Sequence, residues 1–387
     1  MSRRILWTLY GSNFITSVGM WFFLPLLPIF IGRKGGSAAL VGAVFAAGLL
    51  ANAGIRYPAG WAADRFGTRI VMVASMGAYA ALFLAYLLPL PLPLFIVLRF
   101  FHGAAAGAFW PAANGLIAEA SKPDQRARAY GMMQSTNMAG MLIGPAVGGF
   151  IALFNLESTF VMSAVTCGIA AAALAMLPSA HSEVEVEPPT PQSALRIARS
   201  LLPLILLGAG TAYVIGTFDT IWPLYMTYRG ASTLAVGASF TAFALPAMIF
   251  STQAGALGDR FGFRRVVIGA LVATALFSAL YPFITSYWWL IWLGLVEGAL
   301  TVSGQPVLIA QVSRAAPRGQ QGRTQGLFQT VMTAVQIAGS LGGGALFAIS
   351  PTYAFLAMTV ICLLAAGTAF LPRPAQRRSV SEATTGS

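Results

Sequence analysis

Long stretches of this sequence carry almost no charge. From Leu201 to Met226 the only charged side chain is Asp219, and Val266–Phe283 has none. A helix rises 1.5 Å per residue, so about 20 residues cross a 30 Å hydrocarbon core. Helices pair their own backbone groups, which lipid cannot do for them. Twelve such spans can be laid along the chain, near 5–31, 38–62, 70–88, 92–118, 128–152, 157–177, 200–227, 234–257, 266–284, 287–312, 323–347 and 351–371. The first is too long for a cleaved signal peptide and is followed directly by more spans. The sequence therefore predicts an all-α integral membrane protein. Composition agrees: 57% of residues are hydrophobic and only 9% charged, against about 25% charged in a soluble protein.

The formal net charge of +12 raises the question of nucleic acid, but its distribution answers it. With the N-terminus cytoplasmic, 18 of the 23 Lys and Arg fall on cytoplasmic segments. Arg33, Lys34 and Arg229 fall outside, and Arg56 and Arg99 lie within spans. This is the positive-inside pattern, with both termini cytoplasmic and the basic surface facing anionic lipid heads. Nothing resembles a nucleic-acid-binding module. Cys167 and Cys362 sit inside predicted spans as small apolar residues. No disulfide framework or metal-ligand spacing is present, and no cofactor is expected.

One offset of 195 residues aligns much of the chain with itself. Gly60-Trp-Ala-Ala-Asp64-Arg65-Phe66-Gly67-Thr-Arg69 matches Gly255-Ala-Leu-Gly-Asp259-Arg260-Phe261-Gly262-Phe-Arg264. The same shift pairs Arg128, Gly131 and Gln134 with Arg323, Gly326 and Gln329, and Gly144, Gly148 and Gly149 with Gly339, Gly343 and Gly344. It also pairs Pro28 with Pro223, Gly103 with Gly298, and Pro111 with Pro306. Such a repeat sets the architecture: a six-helix bundle over 1–177, a second over 200–371, and a pseudo-two-fold axis along the membrane normal. Between them, 178–199 holds Glu183, Glu185, Glu187 and Pro188, Pro189 and Pro191. It reads as a flexible cytoplasmic linker. The segment 372–387 reads as a polar cytoplasmic tail.

The two Asp-Arg-Phe-Gly segments resemble the cytoplasmic loop motif of the major facilitator superfamily, found between spans 2 and 3 and between spans 8 and 9. Arg99 with Gly103 and Gly107 is similar to that superfamily's motif in span 4. Gly140-Met-Leu-Ile-Gly144-Pro145-Ala-Val-Gly148-Gly149 resembles the span 5 signature of its proton-coupled antiporters, and Leu24-Pro25-Leu-Leu-Pro28 resembles its drug:proton antiporter branch with twelve helices. The resemblance implies the fold of that superfamily and a monomer in a bacterial inner membrane. It also implies a small-molecule substrate exchanged for protons. In the loop motif, Gly60 offers a surface bare of side chain for close helix approach. Asp64, with Arg56, Arg65 and Arg69 nearby, could latch the cytoplasmic side closed. The competing reading is a tight-turn charge cluster. In span 5, Gly140, Gly144 and Gly148 share one face, suited to close packing, and Pro145 bends the helix. The resemblance adds that this helix limits leak.

Only Asp219 and Glu297 among the acidic residues fall well inside spans, joined by Arg56, Arg99 and His102. Buried charges are costly unless paired or hydrated, so each is a functional candidate. Counting along the spans puts Asp219 about 12 Å and Glu297 about 15 Å below the outer face. Two carboxyls held close and out of water repel and lose hydration, the setting in which a carboxyl can carry a proton. The competing reading is a structural hydrogen-bonded pair. Acidic residues on spans 7 and 10 also resemble the pattern of some multidrug antiporters. Arg99 resembles an arginine that the family implicates in proton coupling. His102 stands opposite Glu297 in the repeat, which suggests a proton relay against the plainer reading of a bonded helix histidine. Trp21, Trp110, Tyr213, Trp222 and Phe243, with Asn137, Gln305, Gln329 and Gln336, are candidates for lining a cavity for flat lipophilic cations. Ordinary packing is the alternative for each.

The reading is a proton-coupled exporter of small hydrophobic, cationic compounds. The closest alternative is a transporter of sugars, organic anions or lipids that uses the arginines. A non-transporting receptor would usually carry an attached soluble domain and a membrane enzyme a clustered nucleophile or metal site, and the sequence points to neither.

Overall fold

The computed structural model describes residues 2–122, 125–177, 191–301, 304–316 and 321–370. The segments 178–190 and 371–387, which hold most of the expected linker and all of the expected tail, lie outside the described residues. So do the side chains of Asp259 and Arg323 and the surroundings of Gly255. Among the described residues there are twelve helical spans long and apolar enough to cross a membrane. The protein is a multi-pass membrane protein.

The first half holds α1 (Ser2–Phe23), α2 (Leu27–Arg33), α3 (Ala38–Phe66), α4 (Thr68–Ala85), α5 (Leu94–Ala120), α6 (Arg126–Phe154) and α7 (Ser158–Ala175). The second holds α8 (Pro191–Tyr228), α9 (Thr233–Phe261), α10 (Phe263–Leu280), α11 (Tyr287–Thr301), α12 (Gly304–Ala315), α13 (Gln321–Ile349) and α14 (Pro351–Thr368). The helices α1 and α2 share one span, as do α11 and α12, and the twelve spans run in turn between the face that carries the N-terminus, here the N-terminal face, and the opposite face.

The repeat reaches down to single turns. All four positive-φ residues in the described chain are glycines, and they form two pairs at the repeat offset: Gly35 with Gly230 and Gly67 with Gly262, at φ 87°, 84°, 94° and 81°. An L side chain is strained there, so glycine ends α3 and α9 and turns the chain into α4 and α10. Ser37 and Ser232, also one offset apart, cap α3 and α9 by accepting from the amides of Leu40 and Ala235.

Two elements differ from the sequence reading. The first span is not one helix but two, broken at Leu24-Pro25-Leu26. Proline lacks an amide proton and disfavours helical geometry in the residue before it. Pro25 and Pro28 together break the span, whereas α8 keeps only the second of the pair, Pro223, and runs on through it. Helix α8 also begins at Pro191, taking in the last part of the expected linker as helix.

Among the described residues, the halves meet toward the opposite face. A continuous apolar core there joins Phe23, Leu27, Phe30, Val44 and Phe45 of the first half to Ile221, Trp222, Tyr225 and Val236 of the second. On the N-terminal face the core splits in two. One part lies among α1, α3, α4, α5, α6 and α7, the other among α8, α10, α12, α13 and α14. The described chain is therefore sealed at the opposite face and parted at the N-terminal face.

Candidate functional site

The seal is built from backbone. A side chain added at Gly42 would strike the main chain of Ser340 and Gly344, and one added at Gly237 would strike that of Pro145 and Gly149. Position 145 matches 340 and 149 matches 344 under the repeat, so the two contacts are pseudo-two-fold copies. Small residues let helices approach this closely. The Thr233 and Thr241 hydroxyls add bonds from α9 to the α6 carbonyls of Gly149 and Leu142, at 3.1 and 2.8 Å. The spacing-four face of Gly140, Gly144 and Gly148 packs elsewhere, on α1 at Ser17, Trp21 and Phe22. Gly149 alone of the signature's glycines meets the other half.

Below the seal lie the ionisable groups. Asp219 sits within α8, half-buried, with no hydrogen bond inside the described structure. Arg99 of α5 is the charged group within electrostatic reach of it, across the divide between the halves. Arg99 lies over Gly48 of α3, where an added Cβ would come within 2.9 Å of its Nε. Its guanidinium faces the rings of Phe45 and Phe23, 5.4 and 5.7 Å from their centroids. Its Nε is buried and unbonded. A cation held against ring faces and short of hydrogen bonds is exposed to the state of any nearby carboxyl.

Glu297 does not pair with Asp219, as mutual repulsion of the two would require. It is buried in the second half and accepts a hydrogen bond from the Tyr281 hydroxyl. His102, its counterpart in the repeat, is fully buried among Phe23, Tyr79, Phe83 and Tyr86. Neither ring nitrogen has a hydrogen-bond partner. A relay needs hydrogen-bonded neighbours, so the relay expected of His102 is not set up here.

The two centres share a frame. Tyr86 and Tyr281 each stand 16 residues before His102 and Glu297 and one repeat offset apart. Phe160 and Phe355 occupy matching places, each 5.7 Å from its tyrosine. Cys167 and Cys362 match as well. The sequence reading missed both tyrosines, although applying the repeat offset to them would have found the pair.

The candidates for cavity lining divide. Gln305, Gln329 and Gln336 come together in a pocket among α8, α12 and α13, with Thr211, Phe328 and Met332. Trp222 is core instead: it is 1% exposed, stacks on Phe218 and donates to the Ser239 hydroxyl oxygen at 2.9 Å. A buried indole needs such a partner, and finding one ties it into packing. Asn137 accepts from the Ser17 hydroxyl at 3.0 Å, fastening α6 to α1. Trp21 packs on Gly144, and Trp110 rests edge-on against Phe109. Tyr213 and Phe243 put their backbones against Gly339 and Gly298.

The loop-motif residues lie on the parted face. Arg56 bonds to Asn52 of its own helix at 2.9 Å, and Asp64 is exposed. Arg65 stacks on Trp61 and Phe66, Arg260 on Phe261, and Arg264 on Phe370; Arg69 is half-buried. A Cβ at Gly60 would touch only Pro111, at an ordinary 3.8 Å. The close approach expected at Gly60 is absent in this conformation, because the halves do not meet on that face.

Fold and site together define a polytopic membrane carrier of two helical halves. The family model described as the Major Facilitator Superfamily matches residues 9–237 and 204–386, and the chain belongs to that superfamily of transporters. It is 27% identical over 367 residues to the tetracycline resistance protein, class C, of Escherichia coli, covering 90% of this chain and 91% of the relative. It is 22% identical over 381 residues to multidrug resistance protein 2 of Bacillus subtilis (strain 168), covering 94% of each. Among solved structures, the nucleoside transporter NupG matches with a TM-score of 0.78 at 12% identity, over 95% of this chain and 97% of that one. A bacterial homologue of the human lysosomal transporter Spinster, inward-facing and unoccupied, matches with a TM-score of 0.76 at 15% identity, over 95% and 96%. These structural likenesses concern the fold.

Proposed function

We propose that this chain is a proton-coupled exporter of small hydrophobic compounds, cations among them, working by alternating access with Asp219 as the proton carrier. The observation that carries this is the placement of Asp219, half-buried and unbonded, with Arg99 of the other half the charged group within electrostatic reach. A charged Asp219 draws Arg99 toward it, and a protonated one does not. The two protonation states therefore favour different arrangements of the halves, which is the differential that coupling requires. The resistance proteins among the relatives support export. On this reading the membrane is a bacterial inner membrane, both termini are cytoplasmic, and the monomer is the working unit. The parted N-terminal face then opens to the cytoplasm, and the loop-motif residues form their latch in the alternate state. The six-helix units 1–177 and 200–371 move against each other. Transport of sugars, organic anions or lipids on the intramembrane arginines is less favoured, because Arg99 lies within electrostatic reach of a carboxyl and Arg56 bonds to its own helix.

Ethidium uptake into inverted vesicles under an imposed pH gradient tests the proposal. Wild type should accumulate dye, and Asp219→Asn, at equal protein level, should lose at least about tenfold of the gradient-driven rate (about 1.4 kcal/mol or more in barrier). Undiminished uptake by the variant would contradict the assignment.

A further inference from the structure

The bond from Tyr281 to Glu297 is the inner end of a longer brace. Tyr281 opens a short 3-10 turn, Tyr281–Phe283, that joins α10 to α11 near the opposite face. Two groups of α8 and its end pin that turn by its backbone. The Tyr225 hydroxyl donates to the Tyr281 carbonyl at 2.7 Å. Arg229, just past the end of α8, donates from Nη2 to the Pro282 carbonyl at 2.8 Å and from Nε to the Tyr225 hydroxyl oxygen at 3.0 Å. Its guanidinium also lies over the Tyr225 ring, 5.1 Å from the centroid. The planar fork of arginine can hold two acceptors at once in this way. Tyr225 and Tyr281 are fully buried, and Arg229 is half-buried.

The first half has no such brace. One offset back, Lys34 stands for Arg229, Phe30 for Tyr225, Leu87 for Pro282 and His102 for Glu297. Phe30 has no hydroxyl to donate, and Lys34 lies over its ring, 4.9 Å from the centroid. Tyr86 makes no full hydrogen bond, and His102 has no partner. The links are thus present in the half that carries the carboxyl. A buried carboxyl is costly without a donor, and Tyr281 can serve as that donor as long as its turn stays in place. Tyr281 and, from α14, Cys362 are the titratable groups that face Glu297. Trp222 and Tyr225 also belong to the core that seals the opposite face, so opening that face disturbs the brace.

We propose that Arg229 is a positioning residue for Glu297: through Tyr225 and the turn it keeps the Tyr281 hydroxyl on the carboxyl, and so withholds Glu297 from proton exchange while the opposite face is sealed. Asp219, half-buried and unbonded, is the carboxyl open to exchange in this conformation. Glu297 joins it when the end of α8 parts from the turn. The inference concerns a carboxyl that the exporter reading leaves unused, and it stands without that reading.

Carbodiimide labelling of the purified full-length protein in detergent, with no gradient and no substrate, tests it. Dicyclohexylcarbodiimide is apolar and forms a stable N-acylurea with protonated carboxyls held out of water. Mass spectrometry of peptides reads the label on Glu297 and on Asp219 separately. In wild type, Asp219 should label at least about fivefold faster than Glu297. Arg229→Gln should raise the Glu297 rate at least about fivefold and leave that of Asp219 within about twofold. Tyr225→Phe, which removes one oxygen and keeps the ring, should do the same. A Glu297 rate within about twofold of wild type in either variant would overturn the inference. So would an equal rise at both carboxyls, which would mark general loosening. Labelling needs no transport, so loss of the exporter reading would leave a positive result here standing.

Discussion

The two halves share backbone contacts and differ in what they hang on them. Gly103 lies against the Gly48 carbonyl in the first half, and Gly298 against the Phe243 carbonyl in the second, at matching positions. The side chains over that crossing are exchanged. In the first half Arg99 lies across Gly48; in the second, Phe243 stands in the place of Gly48 and Gly294 in that of Arg99. Nearby, an unbonded histidine occupies the place of a bonded glutamate. Toward the N-terminal face, Asn13 fastens α1 to α6 by donating to the Met133 carbonyl and the Thr136 hydroxyl oxygen. In the second half Gly208 stands in its place, against Phe328 and Met332, and a pocket opens beside them. Duplication kept the glycine crossings because backbone meets backbone there and no side chain fits. It left the surrounding side chains free to diverge, so the charge, the carboxylates and the amide pocket are distributed unevenly.

The largest effect should come from the shared crossings. Gly103→Val and Gly298→Val each drive a branched side chain into a carbonyl and should cost about 3–5 kcal/mol, read as loss of monodisperse protein on size-exclusion chromatography. If one is tolerated and the other is not, the crossings are not equivalent. A smaller effect separates the two tyrosines. Tyr281→Phe leaves buried Glu297 without its donor and should cost about 1–3 kcal/mol. Tyr86→Phe removes a buried hydroxyl that makes no full hydrogen bond and has only the Arg99 guanidinium in reach, and should cost less than Tyr281→Phe. Thermal unfolding of the purified variants reads the difference, and equal shifts would erase this contrast between the halves. Next comes the fastening. Asn13→Ala should lower stability by about 1 kcal/mol, in line with side-chain bonds between membrane helices. The smallest effect concerns His102. As an unbonded ring in an aromatic cage it should tolerate His102→Phe with gradient-driven dye uptake within about twofold of wild type. Abolition of uptake at normal protein level would return the histidine to the proton path.

Much of this was legible in the residues. Apolar length gave all twelve spans, because lipid admits few alternatives to the helix. The offset gave the two halves, and even the cap glycines Gly67 and Gly262 were visible as part of a copied motif. What the offset could not give was contact between unlike positions. Asp219 and Arg99 have no repeat relation: their counterparts are Leu24 and Gly294. Their proximity depends on how the halves pack. Depth counting places Asp219 and Glu297 near one level but says nothing of the direction each side chain takes around its helix, so it cannot separate a pair from two independent sites. Trp222 looked like cavity lining because aromatic residues in a membrane helix serve packing and binding alike. Its burial and its bond to Ser239, on another helix, identify it as core. The pocket was partly legible, since its three glutamines were candidates. Gly208, whose lack of a side chain shapes it, becomes informative only beside Asn13.

The central claim is that the charge state of Asp219 is felt by Arg99 across the divide between the halves. A double-mutant cycle on gradient-driven dye uptake in inverted vesicles, comparing wild type, Asp219→Asn, Arg99→Gln and the double variant, tests it most directly. The account predicts that each single change lowers uptake at least about tenfold and that the double variant is no worse than either, because both remove one interaction. Losses that multiply in the double variant, or a single variant that keeps its gradient-driven uptake, would contradict it.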